Sequence, residues 1–234
     1  GRKAIVNGGS AGMGRSAVQA LAREGVELYV SSRGEERLVQ ACKEIADDTG
    51  AKVVPICADH STPEGREKIL AACPEPDILV GPCSPPPMTP DYRAITDQQW
   101  RDAIDISLLS PVEFIRRVID GMAERNWGRI VNIGSMNGQA GQYGQVNYAA
   151  AKSGMHGFTK ALAQGDRLMA LQAGLVHGRL GRRRFIQLAL AAGASLASAE
   201  AWAQELGDAA ITQRYNAQNI AGRYDYIVVG SGSG

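Results

Sequence analysis

Tyr148 and Lys152 stand four residues apart, and Ser135 lies thirteen residues before the tyrosine. On a helix beginning near Asn147, that spacing puts the phenol and the ammonium on one face. A phenol titrates near about 10 and is a poor acid or base at neutral pH. A neighbouring ammonium favours the phenolate and lowers that value, while a serine hydroxyl can polarise a carbonyl. The set suits proton transfer at a carbonyl or alcohol oxygen. Hydride transfer needs such a proton partner, the hydride itself coming from a cofactor. A Tyr-x-x-x-Lys pair alone is common by chance, so its weight depends on what lies upstream.

Upstream, residues 7 to 14 read NGGSAGMG between a short apolar run and a segment of helical spacing. Gly8, Gly12 and Gly14 give G-x-x-x-G-x-G, with Ser10 and Met13 inside the turn. Such glycines admit positive φ and let the backbone approach a pyrophosphate, whose charge a helix N-terminus favours. Within a strand–turn–helix context this is a good dinucleotide signal. A site for NAD carries an acidic residue at the end of the second strand, to bond the ribose 2′-hydroxyl. Here the chain has Ser31, Ser32 and Arg33, with Arg15 just after the glycine turn. Arginine pairs with a 2′-phosphate through forked, charge-assisted bonds, so NADPH is favoured over NADH.

The elements that must position these residues follow from periodicity. Strands are predicted at Lys3–Asn7, Glu27–Ser31, Lys52–Cys57, Ile78–Val80 and Gly128–Ile133. Helices are predicted at Gly34–Thr49, Pro63–Cys73, Thr96–Asn126 (interrupted near Pro111) and Asn147–Gln164, with Gly14–Glu24 after the glycine turn. Strands alternating with helices of this length make βαβ units, hence an α/β, Rossmann-like, doubly wound parallel sheet. The run GPCSPPPMTPDY over 81–92 is a loop, since proline cannot continue either element.

Composition bounds the rest. The formal net charge of +1 gives no electrostatic case for nucleic acid or an anionic membrane. Cys42, Cys57, Cys73 and Cys83 are scattered without a C-x-x-C pair, so no metal site is expected; reduced thiols point to the cytoplasm.

With those residues in order, the chain up to about residue 164 resembles the short-chain dehydrogenases/reductases. The run MNGQAGQYGQVNYAAAKSGMHGFTKALAQ is similar to the acetoacetyl-CoA and 3-oxoacyl reductases among them. The resemblance implies that Ser135, Tyr148 and Lys152 are catalytic, with B-side hydride transfer to a 3-oxoacyl carbonyl. It places Lys152 on the nicotinamide ribose as well. Asp59 falls where the family contacts adenine, and Gln142, Tyr143 and Gln145 fall against the acyl-thioester substrate. The implied cofactor set is Gly8, Ser10, Gly12, Met13, Gly14, Arg15, Arg33, Asp59, Tyr148 and Lys152. Expected partners are a small carbonyl or acyl-thioester substrate, with homo-oligomerisation left open.

Three positions depart from the family pattern. Its Asn-Asn-Ala-Gly after the fourth strand is Gly81-Pro82-Cys83-Ser84, so a backbone donor and the bracing amides are gone. The asparagine of its proton relay is Ser107, which could hold a relay water. The family's later strands and substrate lid are not recognisable after Gln164, leaving the sheet edge beside the fifth strand unpaired. The one tail candidate for that edge is Tyr226–Gly230.

The rhythm changes near residue 165, where a domain boundary is placed between residues 1–164 and a foreign tail, 165–234. Residues 182–203 form a signal-like helix with Arg182-Arg183 ahead of an apolar run and Ala201-Trp202-Ala203, and Met169 could initiate it. This resembles a twin-arginine export signal. Inside this chain it is expected to pack as an apolar helix against the unfinished sheet. Residues 224–234, a strand and a Gly/Ser terminus, resemble the start of a glucose–methanol–choline-type flavin oxidoreductase. Gly230 and Gly232 supply only part of a G-x-G-x-x-G, so FAD is not expected. Fusion, misassembled reading frame and constructed chimera all fit such a join. An active reductase, a non-catalytic dinucleotide-binding module and an inactive product stay open as its function.

Overall fold

The computed structural model describes residues 1–82, 84–176, 182–205 and 223–229. Six parallel strands form one sheet in the order β3-β2-β1-β4-β5-β6. They are β1 (Lys3–Asn7), β2 (Glu27–Ser32), β3 (Val53–Cys57), β4 (Ile78–Val80), β5 (Trp127–Ile133) and β6 (Arg223–Val229). The crossovers are α1 (Gly12–Arg23), α2 (Glu35–Thr49), α3 (Pro63–Ala72) and the pair α4 (Asp97–Ile104) and α5 (Ser110–Glu124). Beyond β5 come α6 (Asn137–Ala140), α7 (Val146–Val176), α8 (Arg182–Ala191) and α9 (Leu196–Glu205).

Period-two alternation in β1 sends its side chains into two cores. Ala4 and Val6 join Val18, Leu28, Val30 and Leu38 under α1 and α2. Ile5 turns the other way, to Ile69, Leu79, Phe114 and Ile130 under α3 and α5. Both faces are covered, as a parallel sheet requires. Consecutive crossovers on opposite faces reverse the strand order between β1 and β4. The crevice opened there, outside the carboxyl ends of the strands, is where such sheets bind ligands.

Between α4 and α5 the chain widens into a π-turn, Asp105–Leu109. The sequence reading put the interruption near Pro111, which lies in the first turn of α5. The cause is the same: Pro111 has no N–H to give the carbonyl of Ser107, and the ring widens around that gap.

The edge of β5 is paired by the tail candidate for it: β6, which includes residues 226–229, runs parallel to β5 from Trp127↔Arg223 to Ile133↔Val229. The rest of the tail differs from expectation. The predicted helix over 182–203 is two helices, α8 and α9. Gly193 breaks it at φ +97°, and Ser195 Oγ then accepts from Ser198 N at 3.1 Å to start the second helix. The pair does not serve as a cover for an unfinished sheet: Phe185 and Ala189 of α8 pack against Ala199 and Ala203 of α9. Helix α7 also continues through residue 165 to Val176. Cys83 and the Gly230 and Gly232 fingerprint lie outside the described residues.

Candidate active site

The glycine turn is anchored before it can bind anything. Gly8 N and Gly9 N both donate to Ser31 O at the end of β2, at 2.9 and 3.2 Å. Gly8 and Gly12 adopt positive φ, +76° and +53°. Gly14 packs so close to the Gly8 carbonyl that a Cβ would overlap it. The turn therefore delivers the start of α1 directly against the crevice.

Helix capping marks what that start is for. Thr62 caps α3, and Thr96 with Gln99 forms a capping box on α4. Ala11 and Gly34 lead α1 and α2 with no side-chain acceptor for the first N–H groups. Both residues line one cavity of about 350 Å³, together with Gly8, Ser10, Ser32, Arg33, Arg37 and Asp59. Uncapped helix starts beside two arginines make a site for phosphate.

The individual side chains sort as follows. Ser10 Oγ is 2.9 Å from Ser32 Oγ at the cavity wall. Arg33 Nη1 is 3.9 Å from Asp59 Oδ2. Burial raises the Asp59 carboxyl, but hydrogen bonds from the Ser61 hydroxyl and amide, with Arg33 nearby, outweigh it and hold it below the ordinary value. Arg15 pairs with Glu44 across α1 and α2 and is not a cavity residue, and Met13 is exposed. Arg37, His60, Ser84 and Ile106 complete the wall. The sequence reading named none of them for this role; a basic residue one turn beyond Arg33 was the available signal for Arg37.

Tyr148 and Lys152 stand together at the carboxyl end of β5, and Ser135 follows that strand by two residues. Lys152 Nζ donates to Ile133 O, the last residue of that strand, at 2.6 Å, and lies 5.7 Å from the Tyr148 ring centroid. Ser135 Oγ accepts from Asn137 N at 3.2 Å. Helix α6 then locks onto α7, Ser153 Oγ donating to Gly138 O at 2.6 Å. All three side chains are buried: Ser135 5%, Tyr148 2% and Lys152 1% exposed.

The proline loop is tied to the segment that leads into α7. Thr89 N donates to Gly144 O at 2.8 Å, and Gln145 Nε2 donates to Pro86 O at 3.3 Å. Gln145 also accepts from Asn137 Nδ2, so it is a buried tie rather than an open wall, while Gln142 and Tyr143 are exposed. A second hollow of about 250 Å³ runs under this loop and shares Arg33, Ser84 and Ile106 with the first. Ser107, buried in the π-turn, lines it together with Asn147. Tyr148, Lys152 and Ser135 are not lining residues of either hollow.

A family model, short chain dehydrogenase, matches residues 2–170. The chain belongs to that family. Its class is thereby that of the NAD(P)-dependent oxidoreductases. Acetoacetyl-CoA reductase of Cupriavidus necator is 39% identical over 169 residues, 70% of this chain and 68% of that one. The 3-oxoacyl-[acyl-carrier-protein] reductase of Pseudomonas aeruginosa is 33% identical over 180 residues, 74% of this chain and 72% of the relative. In fold, an actinorhodin polyketide ketoreductase solved with NADPH matches at a TM-score of 0.64 and 31% identity, covering 69% of this chain. The chain spans 63% of that ketoreductase. Among the described residues of this short chain dehydrogenase, no helix is long and apolar enough to cross a membrane.

Proposed function

We propose that the chain reduces a 3-oxoacyl thioester with NADPH. The observation that carries the reading is the basic cavity beside the glycine turn. Two uncapped helix starts and the arginines Arg33 and Arg37 face it, and the second strand ends in Ser31 and Ser32 instead of an acid. A dinucleotide phosphate fits that donor set, and Arg33 and Arg37 would hold a 2′-phosphate. Arg15, spent on Glu44, is the weaker candidate.

Bound NADPH supplies the hydride. Tyr148 donates the proton to the carbonyl oxygen, and Ser135 holds that oxygen by hydrogen bond. Lys152, fixed to the end of β5, keeps a positive charge beside the Tyr148 ring, which favours the phenolate left behind. Ser107 lies across the second hollow, where it would hold a water of the proton path. The likeness to the acetoacetyl-CoA reductase supports an acyl-thioester substrate. Residues 1–164 carry this function in the cytoplasm, and the tail beyond is foreign sequence recruited into the sheet. Its likeness to a twin-arginine signal and a flavin oxidoreductase rests on its own residues, since the family model ends at 170.

The test is binding and turnover of NADPH against NADH with acetoacetyl-CoA. Arg33→Ala with Arg37→Ala should weaken NADPH at least about tenfold and leave NADH nearly unchanged. Equal loss for both cofactors refutes the 2′-phosphate assignment. One observation favours a second reading, a module that binds dinucleotide without catalysis: Tyr148 is buried, and the proline loop is tied to Gly144 and Gln145 just before it. Tight NADPH binding with no turnover on any carbonyl would select it.

A further inference from the structure

Gln145 holds a different part of the molecule at each end of its side chain. Its Oε1 accepts from Asn137 Nδ2 at 2.5 Å, and its Nε2 donates to Pro86 O at 3.3 Å. Asn137 in turn gives its backbone N–H to Ser135 Oγ at 3.2 Å. A continuous chain of hydrogen bonds therefore runs from the proline loop, through two amide residues, to the serine hydroxyl. Because Ser135 Oγ accepts along this chain, its single hydrogen stays available for a carbonyl oxygen.

The surroundings favour a fixed side chain. Gln145 is 8% exposed, whereas Gln142 and Tyr143 next to it stand in solvent. A substrate group that bonded the Gln145 amide would compete with two protein partners already in place, one of them a carbonyl in stiff backbone. Pro85, Pro86 and Pro87 fix three successive φ angles and carry no N–H, so the loop needs few ties. Thr89 N supplies the second, to Gly144 O at 2.8 Å. The same three prolines line the second hollow, together with Ser107 and Asn147. Gln145 thus links one wall of that hollow to the serine.

We propose that Gln145 is a positioning residue, a strut that fixes the Ser135 hydroxyl and the proline loop in one geometry, and that it makes no contact with the acyl thioester. The proposal rests on the reductase reading above. Without the strut, Asn137 loses its acceptor and the start of α6 is released. Ser135 is then no longer held in one place. The loss falls on the chemical step rather than on substrate binding, because a misplaced group slows the reaction without changing what holds the substrate.

The experiment measures kcat and KM with NADPH for acetoacetyl-CoA and for ethyl acetoacetate, which keeps the 3-oxo carbonyl and lacks the thioester. The proteins are the wild-type chain, Gln145→Met, Gln145→Glu, Asn137→Ala and the double variant of Gln145→Met with Asn137→Ala. Retained NADPH binding, followed by nucleotide fluorescence, reports that each is folded. Gln145→Met keeps the shape without the hydrogen bonds. It should lose at least about tenfold in kcat on both substrates, with each KM within about threefold of wild type. Gln145→Glu keeps the acceptor for Asn137 and should retain more of kcat. Asn137→Ala should lower kcat in the same way. The double variant should be within about threefold of Gln145→Met, because both changes cut one chain. Hydrogen exchange over residues 84–92 should be faster in Gln145→Met than in the wild type. A loss seen in KM and confined to acetoacetyl-CoA assigns Gln145 to the thioester and overturns the proposal. Losses that multiply in the double variant, or kcat or exchange unchanged in Gln145→Met, overturn it too. A wild type that reduces neither substrate removes the reductase reading, and the proposal with it.

Discussion

Replacing His60 by leucine should remove an acid-sensitive component of the chain's stability. Burial takes the imidazole from its ordinary 6.5 to about 4. The nearby Asp59 favours the protonated ring, while Arg33, Arg66 and Lys152 oppose it. The folded value lies below the unfolded one, so between pH 4 and 6.5 the unfolded chain binds more protons. Stability from this group is complete above about pH 6.5 and is lost as pH falls through that window. At about 1.4 kcal/mol for each pH unit of difference, the full effect is about 3 kcal/mol, of which about 2.5 is gone by pH 4.5. Urea unfolding of wild type and His60→Leu at a series of pH values measures it. Comparing the two proteins cancels the carboxylates that both share. The wild type should lose about 2.5 kcal/mol more than the variant between pH 7.5 and 4.5. Parallel pH profiles would mean that the imidazole titrates alike in the folded and unfolded chain, against this expectation.

Gly14→Ala drives a Cβ into the Gly8 carbonyl. It should cost about 1–3 kcal/mol on thermal or urea unfolding and abolish saturable nucleotide binding, since α1 must retreat from the turn. Gly138→Ala sets a Cβ 2.7 Å from the Lys152 carbonyl carbon and 2.9 Å from Ser153 N. Turnover should fall at least about tenfold with NADPH affinity little changed, because Ser135 moves relative to Tyr148 while the cavity is untouched. Removing residues 206–234 deletes β6 and exposes the edge of β5. Light scattering should show further association, and the melting temperature should drop by several degrees; an unchanged mass and melting temperature would contradict the pairing.

Much of the frame was legible because its signals are local. Lys3–Asn7 and Ile78–Val80 are short apolar runs bounded by glycine, proline or charge, and both strands occupy the residues the pattern marks. The glycine turn and the Tyr148–Lys152 spacing likewise depend on neighbours in sequence. What escaped depends on distance. Arg15 looked available until α2 brought Glu44 beside it, a partner 29 residues away. Arg37, His60, Ser84 and Ile106 meet only because four crossovers converge at the reversal of strand order. The partner of β5 was legible as a strand, residues 226–229 being a local apolar run, but β5 lies some ninety residues earlier, so that pairing could only be named as a candidate. The break at Gly193 was readable in principle, but an apolar run on both sides concealed it.

In the proposed mechanism Tyr148, beside Lys152, protonates a carbonyl that NADPH reduces. That step is tested most directly by following NADPH oxidation with acetoacetyl-CoA for the wild-type chain and Tyr148→Phe. The wild type should show saturable turnover. The phenylalanine variant should lose at least about a hundredfold in kcat with NADPH affinity retained. Full activity in Tyr148→Phe would contradict it, as would a wild-type chain that binds NADPH and never consumes it.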